Sequence, residues 1–89
     1  MNTELEKIFK SVIKGKNFCT PDIYDYFRRG EYILEISEGR GIYCEYVVGV
    51  TAINETTMKR DIRLDKCYCS KERRNALNEA LTYIDTLGL

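Results

Sequence analysis

Cys67-Tyr68-Cys69 is the segment of this chain whose residue types come closest to a chemical site. Side chains at positions i and i+2 of a strand project to the same side, an arrangement that suits a shared metal ion better than a mutual disulfide. The chain has four cysteines and no histidine, so a zinc site would need carboxylates or all four thiols, including Cys19 and Cys44. A single Cys-x-Cys pair is a weak metal signal. We therefore expect no metal and no other cofactor, with the thiols packing as small apolar groups.

Histidine is absent from the chain, which bears on catalysis. It is the commonest general base, and the Ser-His-Asp and Cys-His arrangements both depend on it. Gly39, Gly41 and Gly49 fit no phosphate-binding loop. The sequence therefore predicts a protein that is not an enzyme and has no small-molecule substrate.

The charge balance argues against a general affinity for polyanions. The 89 residues carry 14 basic and 14 acidic side chains, and a net charge of zero offers little of the counterion release that drives sequence-independent nucleic-acid binding. Apolar residues make up 44% of the chain, which is enough for one small core. We expect a single domain over residues 1–89.

The cysteines and the lack of long apolar runs bear on the expected compartment. No run reaches the roughly 18–20 apolar residues of a membrane span, and the start of the chain lacks the basic and apolar parts of a signal peptide. We therefore expect a cytoplasmic protein without membrane contact, in which the cysteines are reduced thiols. Their even number leaves a secreted, disulfide-bonded protein as the alternative.

Two segments near the start of the chain have helical signals. Thr3 and Glu6 have capping-box spacing, and the helix that they begin is expected to end at Gly15. Thr20-Pro21-Asp22 predicts the start of a second, short helix that ends at Gly30.

A third helix is expected at the end of the chain. Ser70 is its predicted N-cap, and Gly88 closes it. Apolar residues at helical spacing form a continuous stripe that can pack on a sheet. They are Ala76, Leu77, Ala80, Leu81, Ile84 and Leu87.

Between the second and third helices the composition favours strands. The first runs over Tyr32–Ser37 and is followed by a hairpin turn at Glu38–Gly41. The second covers roughly Ile42–Ile53, and the next turn is Asn54–Thr57. The third strand covers about Met58–Cys69.

Alternation within these strands predicts a sheet with one dry face and one wet face. In the second strand the dry face would carry Ile42, Cys44, Tyr46, Val48, Val50 and Ala52, and the wet face Tyr43, Glu45, Val47, Gly49 and Thr51. In the third strand Ile62 and Leu64 would point inward, against Asp61, Arg63 and Asp65. The expected fold class is α+β, a three-stranded antiparallel sheet with helices on one face, in the order α-α-β-β-β-α.

The wet face is the surface to which we assign function from the sequence. It combines tyrosine with both signs of charge, a mixture that is typical of protein interfaces. The leading hypothesis is a non-catalytic protein–protein interaction module, such as a small inhibitor, whose partner is another protein or a second copy of this chain. The residues predicted to bind the partner are Tyr43, Glu45, Val47, Asp61 and Arg63.

The layout from residue 22 to residue 87 resembles the double-stranded RNA-binding domain. The segment Tyr32–Gly39 is similar to the first strand and turn of that family, Tyr46, Val48 and Val50 to its second strand, and Ser70–Ala76 to the start of its final helix. The resemblance implies a second hypothesis, a nucleic-acid-binding domain that contacts phosphates through the start of the last helix. Its residues are Arg40, Lys71, Arg73 and Arg74.

The size and the order of elements also resemble small accessory proteins of phages and mobile elements, many of which bind and block other proteins. That similarity is one of size and layout alone.

Overall fold

The computed structural model of the protein describes residues 3–15, 18–42 and 44–88, with side chains described throughout these ranges except at 18–21. A helix begins and ends the described chain, with the strands of one sheet between them. The elements are α1 (Thr3–Lys14), β1 (Phe18–Arg29), β2 (Tyr32–Gly41), β3 (Tyr46–Asn54), β4 (Lys59–Arg60), a 3-10 helix (Ile62–Leu64), β5 (Lys66–Ser70) and α2 (Arg73–Thr86).

The five strands form one antiparallel sheet in which β1, β2 and β3 are consecutive neighbours. Both β4 and β5 pair with β3: β4 lies beside Ile53, and β5 lies beside the segment from Tyr46 to Val50. The α+β class and the antiparallel sheet are thus confirmed. The expected three strands and the order α-α-β-β-β-α are corrected, because the described chain has five strands and two α-helices.

The predicted second helix, from residue 20 to residue 30, is wrong, because this segment belongs to β1. It pairs with β2 from Phe18 opposite Gly41 to Arg29 opposite Tyr32. Its aromatic and β-branched residues suit a strand, and pairing with β2 outweighs the local helix-start signal. Gly30, read as a helix stop, is the first residue of the two-residue hairpin loop and has a φ of 59°.

The hairpin turn expected at residues 38–41 is also wrong, because these residues complete β2. Gly39 pairs with Val47, so the chain reverses only after Gly41 and before Tyr46. Consequently β3 begins at Tyr46 rather than at Ile42. The next turn was predicted correctly, since the Asn54 carbonyl accepts a hydrogen bond from the Met58 N–H at 2.8 Å.

The predicted third strand is interrupted in the middle. Asp61 N-caps a 3-10 helix by accepting a hydrogen bond from the Arg63 N–H, and this short helix separates β4 from β5. Ile62 was expected to point inward but is 74% exposed, whereas Leu64 packs against the core as expected. Asp61 and Arg63 therefore do not alternate with Ile62 and Leu64 along a strand.

The two helices lie on opposite faces of the sheet, which corrects the prediction that helices cover one face. Leu34 and Ile36 point to a cluster with α2, while their neighbour Ile33 points to a cluster with Leu5 and Phe9 of α1. The central part of β2 is buried on both sides, since every side chain from Ile33 to Ser37 is shielded from solvent. The predicted wet face is thus buried at Val47 and Thr51, on the side of the sheet against which α1 packs.

Both predicted terminal helices are confirmed, with small shifts of their ends. α1 buries Leu5, Phe9 and Ile13. α2 buries Ala76, Leu77, Ala80 and Ile84, and the partly buried Leu81 and Leu87 complete its predicted stripe. The N-cap of α2 is Glu72 rather than Ser70, and the Ser70 hydroxyl accepts a hydrogen bond from the Glu72 N–H at 3.2 Å.

Candidate functional site

The residues predicted to bind a protein partner do not form one surface. Val47 is buried, with an exposed fraction of 5%, and Glu45 is exposed in the turn before β3. Asp61 and Arg63 lie beside Ala52, to which the Asp61 N–H is hydrogen-bonded, about 20 Å along β3 from Tyr46 at the usual rise per residue. Tyr43 lies outside the described residues.

A disulfide joins Cys44, in the turn between β2 and β3, to Cys69 of β5, with 5.9 Å between the two Cα atoms. The expectation of reduced thiols that pack as apolar groups is therefore wrong for this pair. The sequence could not indicate the pairing, since it depends on β5 lying antiparallel to β3 with Cys69 opposite Val47. Cys67 is a free and exposed thiol.

The disulfide lies in an open groove with a volume of about 910 Å³ at one end of the sheet. Its walls come from the end of β2, from Ile42, Cys44 and Glu45 in the turn that follows, from the start of β3, and from the end of β5 with the link to α2. The described lining residues are Arg40, Gly41, Ile42, Cys44, Glu45, Tyr46, Cys69, Ser70 and Lys71. Ile42 is 60% exposed there, although the strand pattern had assigned it to the dry face.

Gly41 lets the turn fold tightly against the start of β3. A Cβ atom at this position would lie 2.5 Å from the carbonyl oxygen of Cys44 and 2.5 Å from Cγ2 of Val47. Any larger residue would therefore force the groove wall to move. Close approach of backbone is a common reason for glycine in a strand.

The groove brings together two of the four cations assigned to nucleic-acid binding. Arg40 and Lys71 both line it, and among the described residues neither has an ion pair with an acidic side chain. Glu45 is the acidic residue of the described lining. The groove thus presents an apolar side chain, two cations and one carboxylate to solvent.

The other two predicted cations differ from each other. Arg73 donates hydrogen bonds to both carboxylate oxygens of Glu38, which raises the pKa of its guanidinium, and it lies 5.8 Å from the centre of the Tyr24 ring. Arg74, the next residue of α2, is exposed. Glu38 of β2 is thus the anionic partner of Arg73.

A second exposed feature is the 3-10 helix. Arg63 donates hydrogen bonds to both carboxylate oxygens of Asp61, and the Tyr32 hydroxyl donates another at 3.1 Å. These hydrogen bonds, above all those from Arg63, lower the pKa of Asp61 to about 2. Ile62, between them in the sequence, is exposed, and the positive charge of Arg63 is paired with Asp61.

A layer of polar side chains is buried on the α1 face of the sheet and is not a candidate site. Glu35, Ser37 and Thr51 are fully buried, and Glu35 lies opposite Tyr26 in the strand register. Burial, and then the charge of Glu35, raise the pKa of Tyr26. Because solvent does not reach these groups, we assign them to the packing between α1 and the sheet.

Within the described residues, no group of three or more cysteine and acidic side chains is arranged to hold a metal ion. No helix in the described part of the chain has the length and apolar content needed to cross a membrane.

Comparisons with protein-family models, with curated proteins and with solved structures find no match to this chain.

Proposed function

We propose that the protein is a non-catalytic protein-binding module, and that the groove beside the disulfide binds an extended segment of a partner protein. The observation that carries the proposal is the exposure of Ile42, at 60%, between Arg40 and Lys71, which have no ion-pair partners among the described side chains. An apolar contact surrounded by polar groups is the usual composition of a binding hot spot.

The chemistry of the groove specifies the partner segment. Ile42 and the ring of Tyr46 favour an apolar side chain, because its contact with them removes apolar surface from water. Arg40 and Lys71 favour a carboxylate next to that side chain, and Glu45 disfavours a second one at its own end of the groove. The proposed ligand is therefore an acidic and apolar segment.

Other surfaces of the fold are less suited to this role. Both sheet faces are covered near the centre by helices. At the edge strand β1, Asp22 and Asp25 accept hydrogen bonds from the N–H groups of Ile23 and Tyr26 at 2.9 and 2.8 Å. Occupied N–H groups at an edge disfavour the addition of a partner strand.

Selection from a displayed library of random peptides tests the proposal. We expect enrichment of sequences with an acidic residue near an apolar one, and loss of their binding in Ile42→Ser and Lys71→Glu. Ile62→Ser and Lys59→Glu are the matched controls, since both residues are exposed far from the groove. No enrichment, or equal binding to the groove and control variants, would overturn the proposal.

The second candidate function is nucleic-acid binding, and the specific observation in its favour is that Arg40 and Lys71 line the same groove. The pairing of Arg73 with Glu38 reduces the positive charge available for phosphates, so we rank this function second. A gel-shift titration with duplex RNA and duplex DNA at low and moderate salt separates the two. Binding that falls steeply with salt and is lost in Lys71→Glu would favour nucleic acid.

Self-association and compartment complete the proposal. A second copy of the chain is an alternative source of the bound segment, and light scattering after size exclusion reports it directly.

We propose the cytosol as the compartment and a phage or mobile element as the origin. Disulfides in the cytosol are usually transient or redox-sensing rather than structural. This generalisation applies to the Cys44–Cys69 bond in the groove.

A further inference from the structure

We propose that the Cys44–Cys69 disulfide is a redox switch for the groove. In the oxidised protein the bond fixes Cys44 and its described neighbours, Ile42 and Glu45, against the end of β5, and reduction releases this turn. The effect on partner binding rests on the proposed function of the groove, whereas the effect on the turn does not.

The position of the bond supports this role. Cys44 and Cys69 line the groove from different walls, one in the turn and one on β5. Sγ of Cys44 also lies 3.6 Å from the carbonyl oxygen of Tyr46, within the same stretch of chain. The disulfide therefore joins the wall that carries Ile42 covalently to the wall that carries Lys71.

The bond is open to attack from one side. Cys69 is exposed, whereas Cys44 is half-buried, so a thiol from solution reaches Cys69 first. Cys67 lies two residues earlier on the same side of β5 and is exposed. Two residues of strand span about 6.6 Å, beyond the about 4.5 Å between Cβ atoms that a disulfide tolerates. Cys67 therefore does not form a disulfide with Cys69 while β5 is intact.

The step balances as thiol–disulfide exchange with a dithiol reductant. A thiolate of the reductant attacks Sγ of Cys69, the Cys44–Cys69 bond breaks, and Cys44 leaves as a thiolate that takes up a proton. The second thiol of the reductant then attacks the mixed disulfide, which closes the oxidised reductant and releases Cys69 as a thiolate. Two electrons and two protons enter the protein, and a small-molecule disulfide reverses the reaction.

Reduction is expected to change the groove without unfolding the sheet. The packing of α2 on β3 and β5 involves Val48, Ala80 and Tyr68, which lie on the opposite face of the sheet from Cys69. The turn, in contrast, loses its link to β5, so Ile42 and Glu45 are no longer held at a fixed distance from Lys71. The reduced protein should therefore bind a partner segment more weakly.

Hydrogen exchange in oxidised and reduced protein tests the switch directly. The experiment uses Cys67→Ser as the background, so that each reduced molecule gains two thiols at Cys44 and Cys69. Compared with amides at the centre of β2, the amides of residues 44–46 should exchange at least about tenfold faster after reduction by dithiothreitol. Cys44→Ser should reproduce the reduced pattern without reductant. Equal exchange in both forms, or no disulfide in air-oxidised protein, would overturn the proposal.

A binding measurement links the switch to function. A peptide enriched by the library selection is titrated into oxidised and reduced protein, and we expect at least about a tenfold weaker Kd after reduction, a difference of about 1.4 kcal/mol. Equal Kd values would reject the switch while leaving the proposed function intact. A selection that yields no peptide, together with faster exchange of the turn, would reject the proposed function and retain the switch.

Discussion

Arg73 donates two parallel hydrogen bonds to Glu38, of 2.9 and 3.0 Å, and thereby ties the first turn of α2 to β2. A cation at a helix N-terminus opposes the helix dipole and is locally unfavourable. The bidentate contact with a half-buried carboxylate compensates for that position. Arg74 occupies the same helix end without a described acidic partner, which makes it a natural comparison.

Replacement of the paired residues should reveal this compensation. We expect Arg73→Gln and Glu38→Gln to lower the thermal midpoint, and the double variant to lose less than the sum of the two because the interaction is shared. The coupling should shrink in high salt, as expected for a partly exposed ion pair. Arg74→Gln is the control and should leave the midpoint unchanged or slightly raised. Additive losses would show that the contact contributes nothing.

The placement of α1 on the second sheet face leads to a core prediction. Phe9 is fully buried, and its ring centre lies 5.4 Å from that of Tyr26. Phe9→Ala should lower the free energy of unfolding by about 3–5 kcal/mol, as measured by urea denaturation. Lys10→Ala, at the next and exposed position, should have little effect. If Phe9→Ala were as mild as Lys10→Ala, α1 would not pack on the sheet.

The same packing explains which parts of the fold the sequence could predict. The apolar stripe of α2 and the capping signals of α1 are local patterns, and both helices form where they were expected. The strand at residues 18–29 was not predictable from local signals. Thr20-Pro21-Asp22 has the pattern of a helix start, and only the register with β2 overrides it.

The candidate site was predictable only in part, for a related reason. Glu45, Arg40 and Lys71 were singled out by residue type, but three different elements bring them together. Their proximity follows from β2 continuing to Gly41 and from the antiparallel pairing of β5 with β3. Those two features depend on non-local contacts, which residue patterns along the chain do not encode.

Gly41 provides a test of how tightly the groove wall is packed. In Gly41→Ala the new methyl group would lie 2.5 Å from the carbonyl of Cys44 and 2.9 Å from its Sγ, so the turn must shift. We expect a loss of about 1–3 kcal/mol in the free energy of unfolding and slower formation of the disulfide on air oxidation. Gly88→Ala is the matched control, because a Cβ at that position meets nothing within 4 Å. Equal free energies of unfolding for the two variants would mean that the turn can shift without loss of stability.

Asp61 should give the protein a measurable acid dependence of stability. Hydrogen bonds from Arg63 and from the Tyr32 hydroxyl lower its pKa in the folded state from 3.8 to about 2. Between these values the unfolded chain binds a proton that the folded protein does not. The stabilisation is therefore complete above about pH 4 and is lost as the pH falls through about 2.

Replacement of the partners should show the order of their contributions. We expect Arg63→Gln to raise the pKa of Asp61, followed by NMR titration of its carboxyl carbon, more than Tyr32→Phe does, because hydrogen bonding from Arg63 is the larger cause. Asp61→Asn should flatten the dependence of the urea midpoint on pH between about 4 and about 2. Glu55→Gln is the control for a carboxylate that is paired elsewhere, with Arg28, and should leave the titration of Asp61 unchanged. A normal pKa for Asp61 in the wild type would mean that its hydrogen bonds to Arg63 do not persist in solution, and the 3-10 helix would lose its N-cap.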